Sequence, residues 1–292
     1  MNDKTLITVI VPVFNHWDIV PSLMEKIDRQ SLDKNKFELL VVDNSSDITS
    51  NKFAWPVWAR LLTCSTPGSY AARNTAIRSA RGKLLAFTDA DCLPDSDWLE
   101  NGLEYFSRHH DEKRIIAGAI KVLPQNFEHM TRSEVFDVVM GLPQERYVKR
   151  GYGVTANLIV PASAFEEVGL FDEARFSGGD AEFCRRALSN GWKLEYCRLT
   201  SVVHPARREW KELKTKQKRV KGGQLKSGPV SRRIMFVVVS FVPPFRQFYF
   251  ALKSSRLSFR HRVSVCVTWC RLWIVGLSEV LRLLCGGQPE RR

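Results

Sequence analysis

LLAFTDADCLPDSDWL, residues 84–99, joins an apolar run to a cluster of acidic residues. Its first five residues are apolar or β-branched, which predicts a short buried strand of a sheet. Four aspartates follow this run: Asp89, Asp91, Asp95 and Asp97. A buried strand does not ordinarily end in a cluster of carboxylates, so these acids require an explanation from the rest of the chain.

Runs of the same apolar character recur along the first two thirds of the sequence. They lie at residues 6–13, 37–42, 60–64, 115–122, 154–160 and 193–197. Helical patterns lie between several of them, at residues 19–30, 68–81, 97–109 and 179–190, and Gly82 and Gly191 follow two of these where glycine commonly ends a helix. Apolar strands that alternate with helices predict an α/β fold whose mostly parallel sheet carries helices on both faces.

The charge of the chain is divided unevenly between a body and a tail. From Pro205 onward there are 20 Lys and Arg residues and 4 Asp and Glu residues, which leaves 24 basic and 27 acidic residues of the totals of 44 and 31 for the body. The body is therefore nearly neutral and the tail strongly cationic. The seven cysteines form no CxxC pair, and the first residues do not read as a signal peptide, so we expect a cytoplasmic protein.

Polar residues follow several of the predicted strands, at the edge where such sheets bind ligands. Pro12-Val13-Phe14-Asn15 ends the first strand, Asp43 follows the second, and Asp89-Ala90-Asp91 follows the strand of the opening stretch. Asp89 and Asp91 lie on one side of the chain and would repel each other without a nearby cation. Mg²⁺ or Mn²⁺ is the expected cation, although an acidic surface loop or a helix cap, as expected of Asp95 and Asp97, is the alternative.

Five motifs occur in an order that resembles a known family: VIVPVFN, VVDNSS, GSYAARNTAI, FTDADC and SGGDAEFCRRA. Over residues 5–205 the chain resembles the inverting family 2 glycosyltransferases of the GT-A fold, of the type that builds bacterial cell-surface polysaccharides. The resemblance implies transfer of a sugar from a nucleotide diphosphosugar, expected to be a UDP-sugar, to an acceptor hydroxyl. The expected acceptor is a lipid-linked or cell-surface glycan.

The resemblance also assigns expected roles on the donor side. The residues implied to bind the nucleotide sugar are Pro12, Val13, Phe14, Asn15, Asp43, Arg73, Asp89, Ala90 and Asp91. Among them, Asp43 would hold the base or ribose, and Arg73 would lie near the phosphates. The implied metal ligands are Asp91, Asp89 and His204, although a lone histidine is as commonly structural.

On the acceptor side, the resemblance places the catalytic base at Asp180, with Glu182 in reserve. The family often has Glu-Asp here, whereas this chain has Gly179 before Asp180. A helix N-terminus lowers the pKa of a carboxylate, so we expect bound acceptor to supply the desolvation that makes Asp180 a base. The alternative is that Asp180 only caps its helix. Asn157 is a further candidate for contact with donor or acceptor.

The tail predicts helices that associate with a membrane surface. We expect a basic helix over residues 207–221 that ends at Gly222-Gly223, and a polar stripe along 263–284 formed by Ser264, Thr268, Arg271, Ser278 and Arg282. A helix with this stripe is expected to lie in the interface of an anionic membrane. The expected domains are 1–205 (catalytic), 206–228 (basic helix and linker) and 229–292 (membrane-associated), with the protein peripheral on the inner face of the cell membrane. Packing on the body or a homodimer through these helices is the alternative.

Other functions fit the sequence less well. A nucleotidyltransferase also uses paired aspartates and a metal, but no Gly-rich basic phosphate loop follows the first strand. A nucleic-acid binder would explain the basic tail, but that tail is interleaved with long aliphatic runs, so no nucleic-acid partner is expected. A non-catalytic relative of the family is disfavoured by Asp91 and Asp180, which are both present.

Overall fold

The computed structural model describes residues 5–47, 54–109, 113–175, 177–226, 228–254 and 257–289. The chain divides into two compact units. The first contains Met1–Lys121, Leu142–Ala174 and Gly179–His204, and the second contains Val122–Gly141, Arg175–Gly178 and Pro205–Arg292. The second unit thus takes in residues 122–141, which lie inside the segment predicted to be catalytic. The predicted boundaries at 205 and 228 stay a prediction.

Within the described ranges, eight strands form one sheet. They are β1 (Ile7–Val13), β2 (Phe37–Asp43), β3 (Ala59–Thr63), β4 (Leu84–Thr88), β5 (Leu93–Pro94), β6 (Arg114–Leu123), β7 (Asn157–Pro161) and β8 (Lys193–Pro205). Their order across the sheet is β3-β2-β1-β4-β7-β6-β8-β5. The first four strands in this order pair in parallel. Strand β7 is antiparallel to both β4 and β6, and β5 is antiparallel to β8, so the sheet is mixed.

Helices lie between several of the strands, as predicted, and further helices follow β8. They are α1 (Val20–Asp28), α2 (Ser69–Ser79), α3 (Trp98–Arg108), α4 (Arg132–Met140), α5 (Gln144–Val148), α6 (Ala162–Val168), α7 (Gly179–Ser189), α8 (Trp210–Lys226), α9 (Val230–Ser240), α10 (Phe245–Lys253) and α11 (Phe259–Leu284). Along β1, Val9 and Val11 pack in one hydrophobic core with Leu23 of α1, whereas Ile10 packs in another with Ala72 of α2. Because both faces of the sheet are covered, the predicted α/β fold is confirmed.

The two glycines predicted to end helices have different roles in the structure. Gly191 has φ +84°, the left-handed conformation that was expected after α7. Helix α2, in contrast, ends at Ser79, so Gly82 does not end it. A Cβ on Gly82 would lie 2.4 Å from the backbone nitrogen of Thr8, so this residue is glycine because it passes close to β1.

Asn157 is a structural residue, and its predicted contact with a substrate is therefore wrong. Its side chain is fully buried at the start of β7. The side-chain oxygen accepts a hydrogen bond from Trp98 Nε1 at 2.9 Å, and the amide nitrogen donates to the carbonyl oxygens of Ala119 (2.8 Å) and Thr200 (3.0 Å). These bonds satisfy a buried amide between strands and leave it nothing to offer a ligand.

The second unit is helical, and its core is formed by α4, α8, α10 and α11. Its buried apolar residues include Phe136, Leu213, Ala251 and Leu272. Helix α8 continues through Gly222-Gly223 to Lys226, so the predicted helix end at this pair is wrong. A Cβ at Gly222 would lie 2.8 Å from Pro289, and a Cβ at Gly223 would lie 2.8 Å from Ser177. Both residues are therefore glycine because another part of the chain lies too close for a side chain.

The predicted polar stripe of α11 is only partly exposed. Thr268 is buried, and Arg271 stacks over the Trp210 ring at 3.9 Å. Arg282 pairs with Glu279, an acid buried on α11. Arg271, Ser278 and Arg282 are exposed, but so are the apolar residues Val263, Val267, Ile274, Leu281 and Leu284. The predicted division of α11 into a polar and an apolar face is therefore wrong, because the core of the second unit buries Thr268 and leaves apolar residues at the surface.

Candidate active site

The parallel strands bring three of the predicted segments to one edge of the sheet. Val13 pairs with Asp43 in register between β1 and β2. Ile10 pairs with Phe87 of β4, so that β4 also ends near this edge and Asp89 follows it directly. The pairing explains how residues far apart in sequence come to lie at the same end of the sheet.

The four residues of the Pro12–Asn15 segment have different environments. Val13 is buried with its side chain in the hydrophobic core, so only its backbone is available to a ligand. Pro12 and Phe14 are half-buried, and Asn15 is exposed. The segment is thus anchored by Val13 and presents its other side chains at the surface of the first unit.

Asn15 is held in place by the loop that follows β2. Its backbone has φ +55°, a conformation that asparagine tolerates better than most residues. Its side chain donates to Asp47 Oδ2 at 2.8 Å and accepts from the Asp47 backbone N–H at 2.7 Å. Its own N–H donates to Ser46 Oγ at 2.9 Å, and the Ser46 N–H donates to Asp43 Oδ1 at 3.0 Å. One oxygen of Asp43 therefore orders this loop.

Asn44 also organises the edge, although it was not among the residues predicted to bind the donor. Its buried side chain donates to the carbonyl oxygens of Cys64 (3.0 Å) and Thr66 (2.7 Å), and it accepts from the N–H of Gly68 at 2.7 Å. These bonds join the end of β2 to the loop before α2. An asparagine directly after a strand-end aspartate is a signal that could have identified it.

Arg73 and Asp89 form an ion pair beside this edge. The Arg73 side chain is almost completely buried on α2, and its Nη2 lies 2.5 Å from Asp89 Oδ1. The Asp89 side chain is partly exposed. The ion pair holds a guanidinium at this edge, and Asp89 is the member of the pair that solvent reaches. A guanidinium is a common partner of phosphate, which suits the predicted place of Arg73 near phosphates.

Asp91 and His204 lie together, as expected of two metal ligands. His204 Nε2 is 3.5 Å from Asp91 Oδ2, and Cys92 Sγ completes a group of potential ligand atoms that lie within 4.8 Å of one another. The Asp91 side chain is 38% exposed, whereas His204 and Cys92 are buried. An oxygen and an imidazole nitrogen suit Mn²⁺, and a carboxylate that solvent reaches suits Mg²⁺ with its waters. The residues therefore fit a divalent cation.

Two neighbours of this group differ from the expectation. Asp89 lies outside the group of potential ligand atoms and is paired with Arg73 instead. Ala90 is buried in the hydrophobic core, so only its backbone could contact a donor. Cys92 was not predicted because a single cysteine has no recognisable ligand spacing, and burial raises the pKa of its thiol.

Asp180 is buried in the first turn of α7. Its Oδ1 accepts from the Ala181 N–H at 2.8 Å and from the Tyr70 hydroxyl at 3.3 Å, and its Oδ2 accepts from the Thr155 N–H at 3.3 Å. Burial raises the pKa of Asp180, and these hydrogen bonds and Arg73 only partly oppose the rise. The expected lowering at a helix N-terminus is thus outweighed, because the protein itself desolvates the carboxylate.

Glu182, the reserve candidate, is already paired. Its two carboxylate oxygens accept from Arg186 Nε at 3.0 Å and Nη2 at 3.2 Å, one turn later on α7. Arg186 also donates to the carbonyl oxygens of Gly169 and Leu170. The pair therefore fixes α7 to the preceding loop, and Asp180 is the better placed of the two acids to accept a proton.

The sequence is similar to that of known proteins. The sequence matches the family described as Glycosyl transferase family 2 over residues 8–168. It is 31% identical over 252 residues to the glycosyltransferase AglE of Haloferax volcanii, and the aligned region covers 81% of each chain.

Solved structures of similar fold were also found. The mannosyltransferase PcManGT from Pyrobaculum calidifontis, in complex with GDP-Man and Mn²⁺, matches 94% of this chain and 86% of its own with a TM-score of 0.58 at 16% identity. Residues 1–349 of S. aureus TarS in complex with UDP-GlcNAc match 97% of this chain and 92% of their own with a TM-score of 0.54 at 15% identity. At these identities the likeness is one of fold.

Proposed function

The chain belongs to glycosyl transferase family 2, and from that premise we propose that it is an inverting enzyme that transfers a sugar from a UDP-sugar to an acceptor hydroxyl. It is a glycosyltransferase, and its relatives in fold include proteins solved with UDP-GlcNAc and with GDP-Man. These two complexes support a nucleotide sugar as the donor. The proposed acceptor is a lipid-linked or cell-surface glycan.

One observation carries the proposal: a series of contacts joins the acids after β4 to the acid at the start of α7. Arg73 holds Asp89, its guanidinium lies 5.7 Å from the centre of the Tyr70 ring, and the Tyr70 hydroxyl reaches Asp180. A cationic group for a diphosphate and a carboxylate for a proton are thus separated by one side chain, that of Tyr70. This is the pairing that sugar transfer from a nucleotide diphosphosugar needs.

In the proposed reaction, Asp180 takes the proton of the acceptor hydroxyl as the oxygen bonds to the anomeric carbon. The bond from that carbon to the diphosphate oxygen breaks at the same time, and attack from the opposite face inverts the configuration. Arg73 stabilises the negative charge of the departing nucleoside diphosphate. Asp43 would hold the base or ribose with its carboxylate. Mg²⁺ or Mn²⁺ at Asp91 and His204 would add positive charge at the diphosphate.

Calorimetry and a transfer assay test this function together. We expect UDP to bind in the presence of Mn²⁺ or Mg²⁺ and to bind at least about tenfold more weakly in a chelator, because its diphosphate would lose the cation that it coordinates. A screen of UDP- and GDP-sugars with mass spectrometry of lipid extracts then identifies the donor and product. Equal affinity for UDP with and without the metal would exclude the metal site, and no binding of UDP or GDP under either condition would exclude the donor class.

The second unit carries a large exposed apolar surface, which we propose binds a membrane. On α9 the exposed residues are Ile234, Met235, Val238 and Val239, and on α10 they are Phe245, Tyr249, Phe250 and Leu252. The two helices meet at Pro243-Pro244 with a bend of 60°. Of the described helices, α11 is by itself long and apolar enough to cross a membrane. We propose that these helices lie in the membrane interface.

Basic side chains border this surface and favour an anionic lipid. Arg232 lies 5.4 Å from the centre of the Phe236 ring, Arg246 lies 5.7 Å from that of Phe250, and Lys253 lies 5.5 Å from that of Tyr249. Each cation near a negatively charged membrane surface contributes about 1 kcal/mol. The proposed location is therefore the inner face of the cell membrane, with the protein peripheral and its active site in the cytoplasm.

Flotation of the full-length protein with vesicles tests this location. We expect binding to vesicles of phosphatidylglycerol and phosphatidylcholine, and weaker binding to vesicles of phosphatidylcholine alone. The double variant Ile234→Glu/Val238→Glu should bind the mixed vesicles about tenfold or more weakly than the wild-type protein does. The matched control is Leu199→Glu, an equally exposed leucine of the first unit. A protein that ignores both vesicles and instead forms a dimer that the double variant dissociates would replace the membrane with a second copy of the chain.

A further inference from the structure

Tyr70 occupies the space beside Gly179 where a side chain would otherwise lie. A Cβ built on Gly179 would be 2.8–2.9 Å from three atoms of the Tyr70 ring, closer than such atoms approach in proteins. Gly179 does not adopt the left-handed backbone conformation that several other glycines of the chain adopt. Residue 179 is therefore glycine because of the tyrosine ring and not because of its backbone.

The ring that excludes a side chain at 179 also presents its hydroxyl to residue 180. Tyr70 is buried on α2, and its hydroxyl lies 3.3 Å from Asp180 Oδ1. The other carboxylate oxygen of Asp180 accepts from the Thr155 N–H. One donor thus holds each oxygen from outside α7, and together they determine the plane of the carboxylate.

We propose that Tyr70 is a positioning residue for the catalytic base: its hydroxyl donates a hydrogen bond to Asp180 Oδ1, and Gly179 is required because the tyrosine ring fills the place of its side chain. The inference rests on the proposed role of Asp180. It accounts for the glycine at a place where the family often has glutamate, because a larger residue would displace the ring and break the bond.

The hydrogen bond has a consequence for the pH dependence of the reaction. Burial raises the pKa of Asp180, and the Tyr70 hydroxyl opposes this rise because it stabilises the ionised carboxylate. The other titratable or charged groups that interact with Asp180 are Arg73, Tyr147, Tyr152 and Cys184. Burial raises the pKa of the two tyrosines and the thiol, so they stay neutral where the base titrates. Removal of the hydroxyl should therefore move the titration of Asp180 to higher pH.

Tyr70→Phe tests the proposal, because it deletes the hydroxyl and keeps the ring. We expect the acidic limb of the pH profile of kcat/KM to move up by about one pH unit, with the affinity for UDP in Mn²⁺ unchanged within twofold. The matched control is Tyr105→Phe, which deletes a hydroxyl that also donates to a carboxylate, that of Glu195. An acidic limb that stays in place in folded Tyr70→Phe would overturn the proposal, as would an equal shift in Tyr105→Phe.

Gly179→Ala provides an independent arm. The new methyl group should push the ring away, so we expect the same upward shift of the acidic limb. In Gly179→Ala/Tyr70→Phe the shift should equal that of either single variant, because both changes remove one hydrogen bond. If the shifts of the acidic limb instead added in the double variant, the two changes would not act through the same hydrogen bond, and the proposal would be overturned.

The melting temperature against pH separates this inference from the proposed function. A carboxyl whose folded pKa is raised binds more protons in the folded state, so stability falls as pH rises through the folded pKa. Tyr70→Phe should extend this fall to higher pH in the wild-type background and have no pH-dependent effect in Asp180→Asn. If Asp180→Asn were fully active, the proposed base would be wrong, yet this coupling would still confirm the hydrogen bond. If the coupling were absent, the inference itself would fail.

Discussion

Asp180 in the first unit and Asp137 in the second are two carboxylates of similar burial in opposite surroundings. Asp137 is 3% exposed and is held by cations: Arg207 donates to it from its backbone N–H and from its side chain at 3.0 Å, and Lys216 lies at 3.6 Å. Asp180 is 9% exposed and is held by neutral donors, a hydroxyl and two backbone N–H groups.

The partners in direct contact distinguish a buried acid that can take part in chemistry from one that stabilises the fold. A carboxylate paired with cations has its charge stabilised permanently and stabilises the fold around it. A carboxylate that is desolvated and has only neutral partners in direct contact holds its proton more strongly, so it can accept one during a reaction. Four predictions test this contrast.

The largest effect is expected at the acid with neutral partners. Asp180→Asn should lower kcat by about 10²–10⁴-fold while UDP still binds, because the acceptor proton loses its base. Asp137→Asn, compared per folded molecule below its melting temperature, should retain turnover within about threefold. Steady-state kinetics with calorimetry of UDP measures both, and an active Asp180→Asn protein would remove the contrast.

The reverse pattern is expected for stability. Asp137→Asn should lower the free energy of unfolding by about 3 kcal/mol, because Arg207 and Lys216 would then face each other without the intervening negative charge. Denaturant titration followed by circular dichroism gives the value. Asp97→Asn, at an exposed aspartate, is the control and should change stability by no more than about 0.5 kcal/mol.

Asp91 extends the comparison to an acid that solvent reaches. Asp91→Asn should remove most of the increase in UDP affinity, about tenfold or more, that Mn²⁺ provides, because an amide oxygen carries no charge for the cation. The affinity of Asp91→Asn for UDP in a chelator and the melting temperature of the variant should equal those of the wild-type protein. A Mn²⁺ effect that survives in Asp91→Asn would place the cation elsewhere.

The smallest effect concerns the pH dependence of the Asp137 cluster. Burial lowers the pKa of Lys216 to about 8 from its ordinary value of 10.5. Between these values the unfolded chain binds the proton and the folded chain does not, so stability should rise as pH increases from about 8 to 10.5. We expect a gain of about 1–2 kcal/mol, less than the full shift implies, since solvent reaches 30% of the side chain. Lys216→Met should abolish this rise in denaturant titrations at several pH values.

The elements that could be predicted from sequence were those with a local cause. Seven apolar runs became strands, and Gly191 ended a helix in the left-handed conformation, because hydrophobic pattern and backbone preference act over a few residues. Gly82, Gly222 and Gly223 were wrongly predicted to end helices. Each is glycine because a segment distant in sequence packs where its side chain would lie. The exposed face of α11 was misread for the same reason: a composition that fits several faces is resolved only by what packs against it.

The candidate site divides in the same way. Asp91 and His204 were predicted as partners, and the structure brings them together. Cys92 and Tyr70 were not selected, because a lone cysteine or tyrosine has no spacing that marks it. Asn44 was overlooked, although it directly follows a strand-end aspartate. Glu182 is a weaker candidate for the base because it pairs with Arg186, and this pairing is visible only once α7 is folded.

Seven of the strands, the helices between several of them, the family and the acids after the strands could be predicted from the amino-acid sequence, because each follows from the identity and spacing of nearby residues. Which acid is buried, which is paired and which meets a potential metal ligand became visible only in the folded chain. The physical reason is that the pKa and charge partners of a carboxylate depend on desolvation and on groups brought close by folding, as Tyr70 and Thr155 are to Asp180.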